Sequence, residues 1–169
     1  MSPRLAGAWL ALRSLFWAAL FPGLLAGYVP WRYFGVGDVV PDRRDPLQWA
    51  GLAAAALGAA LLAACIWEFA RRGRGTLSPA DPPGTLVVQG LYRHVRNPMY
   101  LAVTLIVLGQ ALYARSPALL IYWLVWFAAV NLFVIGYEEP RLARRFGPAY
   151  QGYRAAVGRW VPRRRPYRP

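Results

Sequence analysis

Two short stretches of this chain carry groups able to do polar chemistry. The first, Gly90 to Tyr100, reads GLYRHVRNPMY and sets Arg93, His94, Arg96 and Asn97 directly ahead of an apolar run. The second is the carboxylate pair Glu138-Glu139, which closes another apolar run. Guanidinium, imidazole and amide groups beside two carboxylates suit the binding of a zwitterion. The arginine fork matches its acid end, and the carboxylates match ammonium and hydroxyl groups. No nucleophilic Ser or Cys and no phosphate-cradling glycine loop accompanies them. His94 is the single histidine and Cys65 the single cysteine, so no metal site and no intrachain disulfide is expected.

A helix hairpin is what brings the two stretches together. Met99 to about Ala114 is apolar, Arg115-Ser116-Pro117 is a tight turn, and Ala118 to Tyr137 is apolar again. Antiparallel packing sets the start of the first run beside the end of the second, with Arg93, His94, Arg96 and Asn97 near Glu138 and Glu139. Composition fixes the medium: 57% of the 169 residues are hydrophobic and 15% aromatic, above what a soluble domain carries. The fold class read from this is an all-α integral membrane protein with about four transmembrane helices and a C-terminal amphipathic cytoplasmic segment. The spans are Leu5 to Val29, kinked at Pro22-Gly23, then Leu47 to Trp67, then the two hairpin helices. Gly51, Ala54, Ala55, Gly58 and Ala59 recur on the second span at a spacing that lets a neighbouring helix approach closely, within the chain or across a dimer. Gln110 and Asn131, the amides inside the last two spans, are read as interhelical hydrogen bonders.

Pro30 to Pro46 reads as a charge-balanced loop whose Trp31, Tyr33 and Phe34 suit the interface belt. Glu68 to Gln89 is a polar, Pro- and Gly-rich loop in which Leu86-Val87-Val88 either dips into the interface or covers a site. Glu138 to Val157 carries Leu142, Phe146, Tyr150, Tyr153 and Val157 at helical spacing. It is expected to lie along the membrane surface with a break or kink at Gly147-Pro148. The tail from Trp160 rests its arginines on anionic lipid.

The 20 basic residues, all arginine, outnumber the 7 acids for a formal charge of +13. They flank apolar segments instead of interleaving with stacking-ready aromatics on a polar surface, so they mark topology and not nucleic acid. Arg4, Arg13, the five arginines from Arg71 to Arg96 and the nine after Glu139 fall on one side, against Arg115 and the charge-balanced loop on the other. The positive-inside rule puts both termini and the Gly90 to Tyr100 stretch in the cytoplasm.

A cytosol-facing site of arginines and carboxylates without a nucleophile fits S-adenosylmethionine. Its transferable methyl needs only an aligned acceptor. Arginines at a cytosolic membrane edge also serve as plain topology signals, and a resemblance is more specific. From Gly75 to Pro162 the chain resembles the isoprenylcysteine carboxyl methyltransferase family, with its bacterial members and phospholipid-methyltransferase relatives. Gly90, Tyr92, Arg96, Asn97, Pro98 and Tyr100 carry the first block. Glu138, Glu139, Leu142, Phe146, Gly147, Tyr150 and Tyr153, then Val157 and Pro162, carry the second. The resemblance implies one membrane domain over 1–169 whose 75–162 part is the methyltransferase core, in a bacterial inner membrane. It implies S-adenosylmethionine bound by Tyr92, Arg96, Asn97, Pro98, Tyr100, Glu138 and Glu139, and a lipid-like acceptor entering from the bilayer. It names no catalytic residue and no oligomeric state. Two positions depart from the family: Asn97 stands where eukaryotic members tend to have His and cannot be charged. Ala102 stands where Gly is common and adds a methyl at a close backbone approach.

Plainer readings stand beside these. Pro98 suits the first turn of a helix, Tyr92, Tyr100 and Tyr137 suit an interface belt, and the glutamates suit a solvated helix start. His94 is read as a surface residue or, less directly, a general base. Two other functions fit the pattern. One is a non-catalytic scaffold or lipid-binding protein of the same fold. The other is a nicotinamide-dependent sterol reductase, whose similar turn continues with Gly-Glu where this chain has Leu101-Ala102. For the acceptor, a prenylcysteine carboxylate, a phospholipid amine and a small thiol are all compatible.

Overall fold

In the computed structural model of the chain, residues 19–72 and 86–168 are described. The start of the expected first span, with Arg4 and Arg13, and most of the polar loop lie outside them. Every regular element among the described residues is helical. A π-helical stretch, Ala19–Tyr28, runs into α1 (Val29–Tyr33); then come α2 (Pro46–Arg72), a 3-10 turn (Gly90–Arg93), α3 (Pro98–Tyr113) and α4 (Pro117–Phe133). A π-helical turn, Val134–Glu138, joins α4 to α5 (Glu139–Ala156). Two compact units result, one of residues 19–63 and 99–130, the other of residues 64–72, 86–98 and 131–168.

In the first unit, Pro22 lies inside the π-helical stretch, whose wider winding accommodates a residue lacking an N–H. The loop expected from Pro30 begins later, because α1 continues to Tyr33 with Pro30 buried near its start. The partly buried ring of Phe34 packs 5.3 Å from that of Tyr122, against the core cluster. Asp45 opens α2 by accepting the Leu47 N–H at 3.0 Å. Arg115, from the α3–α4 turn, pairs with the same carboxylate at 2.6 Å. That hydrogen bond, against a smaller opposing effect of burial, holds Asp45 below the usual carboxylate range. The charge-balanced loop and Arg115, placed on one side from the sequence, thus meet directly.

α2 and α3 touch backbone to backbone. A Cβ on Gly51 would stand 2.6 Å from the Gly109 carbonyl, one on Gly58 would stand 2.7 Å from the Ala102 carbonyl, and one on Gly109 would strike the Ala55 amide. The small-residue stripe is therefore used within the chain, and fully buried Ala102 belongs to this helix contact. Val103, Val107 and Ala111 of α3 close the core with Leu119 of α4 and Ala26. Gln110 donates to the Ala26 carbonyl at 2.7 Å, an interhelical bond as expected.

Ile121, Leu124 and Val125 of α4 are more than half exposed, leaving an apolar face outward. α2 and the helix through α4 are long and apolar enough to cross a bilayer. α3 has 16 residues. At ~1.5 Å per residue it rises about 24 Å, short of the ~30 Å hydrocarbon core. Two of the four expected spans thus meet the length criterion among the described residues.

In the second unit, Tyr150, Tyr153 and Val157 are buried, with Leu86, Val88, Leu142, Phe146 and Tyr167 packed on them. The stripe expected to face the membrane surface is covered by the chain itself. Amphipathic spacing says that one side is apolar without saying what covers it. Gly147 breaks the helix at φ 52°, ψ −129°, a backbone open mainly to glycine, and makes the expected kink.

Gly109→Ala should lower stability by about 1–3 kcal/mol or abolish folding, because the added methyl meets backbone that cannot rotate away. Gly136→Ala, where a Cβ meets nothing within 4 Å, should leave the melting temperature in detergent unchanged or slightly raised.

Candidate functional site

Gly90 begins the first block at φ +53°, a conformation that favours glycine, and the Glu68 carboxylate packs where a Cβ would sit. The 3-10 turn it starts is closed by the His94 and Val95 N–H groups on the Leu91 carbonyl, at 3.0 and 3.1 Å. The C-terminal tail then runs antiparallel along the turn. Arg96 N–H donates to Gly158 at 3.0 Å, Arg163 N–H to His94 at 2.9 Å, and Tyr167 N–H to Arg93 at 2.9 Å. Side chains reinforce this ladder: Arg93 Nε donates to the Tyr167 carbonyl at 2.7 Å, and His94 Nδ1 to that of Arg163 at 2.9 Å. Arg93 and His94, expected beside the glutamates, are therefore engaged by the tail, and the bond to Arg163 gives the imidazole a structural place.

Arg96 reaches the second block. Its side chain and that of Glu139 are only 9% and 5% exposed, and they pair at 2.8 Å. Glu139 is not a solvated helix start, since helical backbone runs through the π turn into α5. Arg159, from the tail, grips the same carboxylate with Nε on Oε1 at 2.6 Å and a terminal nitrogen on Oε2 at 3.0 Å. Arg154 approaches Oε2 at 3.6 Å. Burial pushes the Glu139 carboxyl up. The hydrogen bond from Arg159 and the charges of Arg96, Arg159 and Arg154 outweigh it and hold the carboxyl below its usual range. Glu139 lies beyond the apolar run that ends at Tyr137, at the start of an arginine-rich segment.

The surrounding groups are neutral. Arg96 also donates to the Tyr150 hydroxyl at 3.3 Å, and burial, then the Glu139 charge, push that phenol up. Tyr153, raised chiefly by burial, donates to the Tyr92 carbonyl at 2.6 Å. Asn97 is buried and its amide donates to the Arg159 carbonyl at 3.3 Å. Trp160 donates to Asn131 at 2.9 Å, so this amide binds the tail where an interhelical bond was expected. One donor stands out. Arg96 Nε is buried without a hydrogen-bond partner among the described residues.

Of the seven residues singled out from the sequence, Arg96, Asn97 and Glu139 come together here, with Tyr92 tied in through its carbonyl. Glu138 adjoins them, half-exposed, at the end of the π turn, and buried Pro98 is the first residue of α3. Tyr100 belongs to the first unit. The sequence reading missed the parts of Arg154 and Arg159, counted there among the topology arginines. The available signal was position, since Arg159 falls between Val157 and Pro162, both in the second block.

A family model described as phospholipid methyltransferase matches residues 46–149, more than half of the chain, from the first residue of α2 into α5. The chain belongs to the phospholipid methyltransferase family. That family is related to the isoprenylcysteine carboxyl methyltransferases whose two blocks the sequence resembles. No curated protein and no solved structure matches the chain. Family and apolar helices together make this a membrane protein of a methyltransferase family. The matched region holds Arg96 and Glu139 and ends before Arg154 and Arg159.

A carboxyl held low in the folded state contributes stability that is complete above its unfolded value, ~4.3, and is lost as pH falls through the lower folded value. Melting temperature in detergent should therefore fall below about pH 4 more steeply in wild type than in Glu139→Gln. That variant should itself be less stable at neutral pH by about 3 kcal/mol, because it leaves the buried Arg96 charge uncompensated.

Proposed function

We propose that this chain is an integral membrane methyltransferase that uses S-adenosylmethionine and methylates a lipid-like acceptor. The observation that carries this reading is the buried Arg96, with an unpartnered N–H, in a cluster of three arginines on one carboxylate. Such a cluster keeps a surplus of positive charge, and its fitting partner is a second carboxylate, as the cofactor's amino-acid end provides. When bound, S-adenosylmethionine supplies a methyl on a sulfonium, whose carbon–sulfur bond breaks as the bond to the acceptor forms. The chain's part is to bind, orient and exclude water.

In this reading Arg96 and Asn97 hold the cofactor directly, and Glu138 takes its ammonium or ribose hydroxyls. Tyr92 and Pro98 line the place. Both oxygens of Glu139 are already engaged by arginines, so Glu139 acts by holding them. The four-span arrangement, with both termini in the cytoplasm of a bacterium and the cofactor arriving from the cytosol, belongs to the same proposal. An acceptor dissolved in the bilayer is supported by the apolar outward face of α4 and by the family's name.

Calorimetry in detergent should detect S-adenosylmethionine binding to wild type. Arg96→Ala should weaken it by about 1.5–3 kcal/mol, and Arg96→Lys should also weaken it, since a point charge does not replace a planar fork. Methyl label from the cofactor should be recovered in the organic phase of membrane extracts. Unchanged affinity in both folded variants would leave the motif structural and favour the scaffold reading. Label confined to small polar products would refute the lipid acceptor.

A further inference from the structure

The tail beyond the family match raises a question that the proposed function leaves open: why a third element should reach into the paired blocks. Of the three guanidinium groups on Glu139, only that of Arg159 holds both oxygens, at 2.6 and 3.0 Å. Arg96 reaches one oxygen through one terminal nitrogen, and Arg154 is half-exposed at 3.6 Å. A bidentate fork fixes the plane of a carboxylate, which a single contact leaves free to turn. The same residue's carbonyl accepts from Asn97, and the Arg96 amide donates to the adjacent Gly158 carbonyl. Arg159 therefore touches the second block with its side chain and the first with its main chain.

We infer that Arg159 is a positioning residue of the site, fixing the Glu139 carboxylate so that Arg96 meets it with one nitrogen and keeps Nε–H for a ligand's carboxylate. This rests on the reading of the site as an S-adenosylmethionine site. Without Arg159, Arg96 is the buried guanidinium best placed to take over the second oxygen. A fork turned fully onto Glu139 withdraws the donors that the cofactor needs. The groups facing Glu139 are Arg96 from the turn, Arg154 and Tyr150 from α5, and Arg159 from the tail. Removing Arg159 takes away the strongest hydrogen bond to the ionised form, so Glu139 should then protonate nearer the ordinary range, ~4.3.

The test uses the full chain in detergent, with wild type, Arg159→Gln, Arg159→Lys and, as control, Arg164→Gln at an exposed tail arginine. S-adenosylmethionine affinity is measured by calorimetry from about pH 4 to 8, across the carboxylate range, with KM and kcat alongside. Arg159→Gln should weaken binding roughly tenfold or more, raise KM for the cofactor more than it lowers kcat, and move the acid limb of binding to higher pH. Arg159→Lys should fall between, and Arg164→Gln should match wild type. A purely structural role would not move the acid limb in a variant that folds. If Arg159→Gln does not fold, Arg159→Lys carries the test, and wild-type affinity and pH limb in it overturn the inference. Wild type that binds while Arg159→Gln binds equally well overturns the inference alone. Wild type that does not bind the cofactor overturns the proposed function and this inference with it.

Discussion

The second unit depends on one buried carboxylate. Taking a carboxylate and a guanidinium out of water costs several kcal/mol per ion, and a single pair rarely recovers that in full. At Glu139 the cost is met by arginines from the turn, from α5 and from the tail. Two of the three, Arg154 and Arg159, keep part of their own hydration, with side chains 53% and 26% exposed. Only Arg96 shares the burial of Glu139, so the desolvation falls mainly on one pair while the neighbours add Coulomb attraction. The result is a fixed charge arrangement that the turn, α5 and the tail must all be folded to complete.

The two units are held by different physics. In the first, glycine and alanine let α2 and α3 approach until backbone meets backbone, and dispersion over that contact does the work that water does not do in a bilayer. In the second, hydrogen bonds and ion pairs dominate. An aromatic cluster around Tyr150 and Tyr153 keeps water from the polar groups beside it and strengthens their interactions. The π turn at Val134–Glu138 falls where the chain passes from the apolar run to the carboxylate pair, a place where such turns recur at functional sites.

Much of the helical order is legible in the sequence, because apolar runs and prolines are local signals. The expected Leu47 to Trp67 span and the Met99 to Ala114 run begin within a residue of α2 and α3, whose first residues are Pro46 and Pro98. The approach of Arg96 to Glu139 follows from the hairpin alone. The tail does not: its pairing of Arg163 with His94 and of Tyr167 with Arg93 is main chain on main chain and leaves no pattern in residue types. Arg159 is hidden for a related reason, since among so many arginines the bulk signal is topology. The hairpin pattern sets Arg93 and His94 near the glutamates together with Arg96, whereas the 3-10 turn hands those two to the tail and Arg96 to the carboxylate.

If Glu139 is the group on which turn, helix and tail converge, its loss must be felt along the whole ladder. Hydrogen exchange of the full chain in detergent, compared between wild type and Glu139→Gln at neutral pH, measures this directly. Protection of the Arg96, Arg163 and Tyr167 amides should fall together in the variant, while amides of α2 and α3 around Gly51 and Gly109 keep theirs. Unchanged protection at those three amides would contradict the account, because the tail would then be held without the carboxylate.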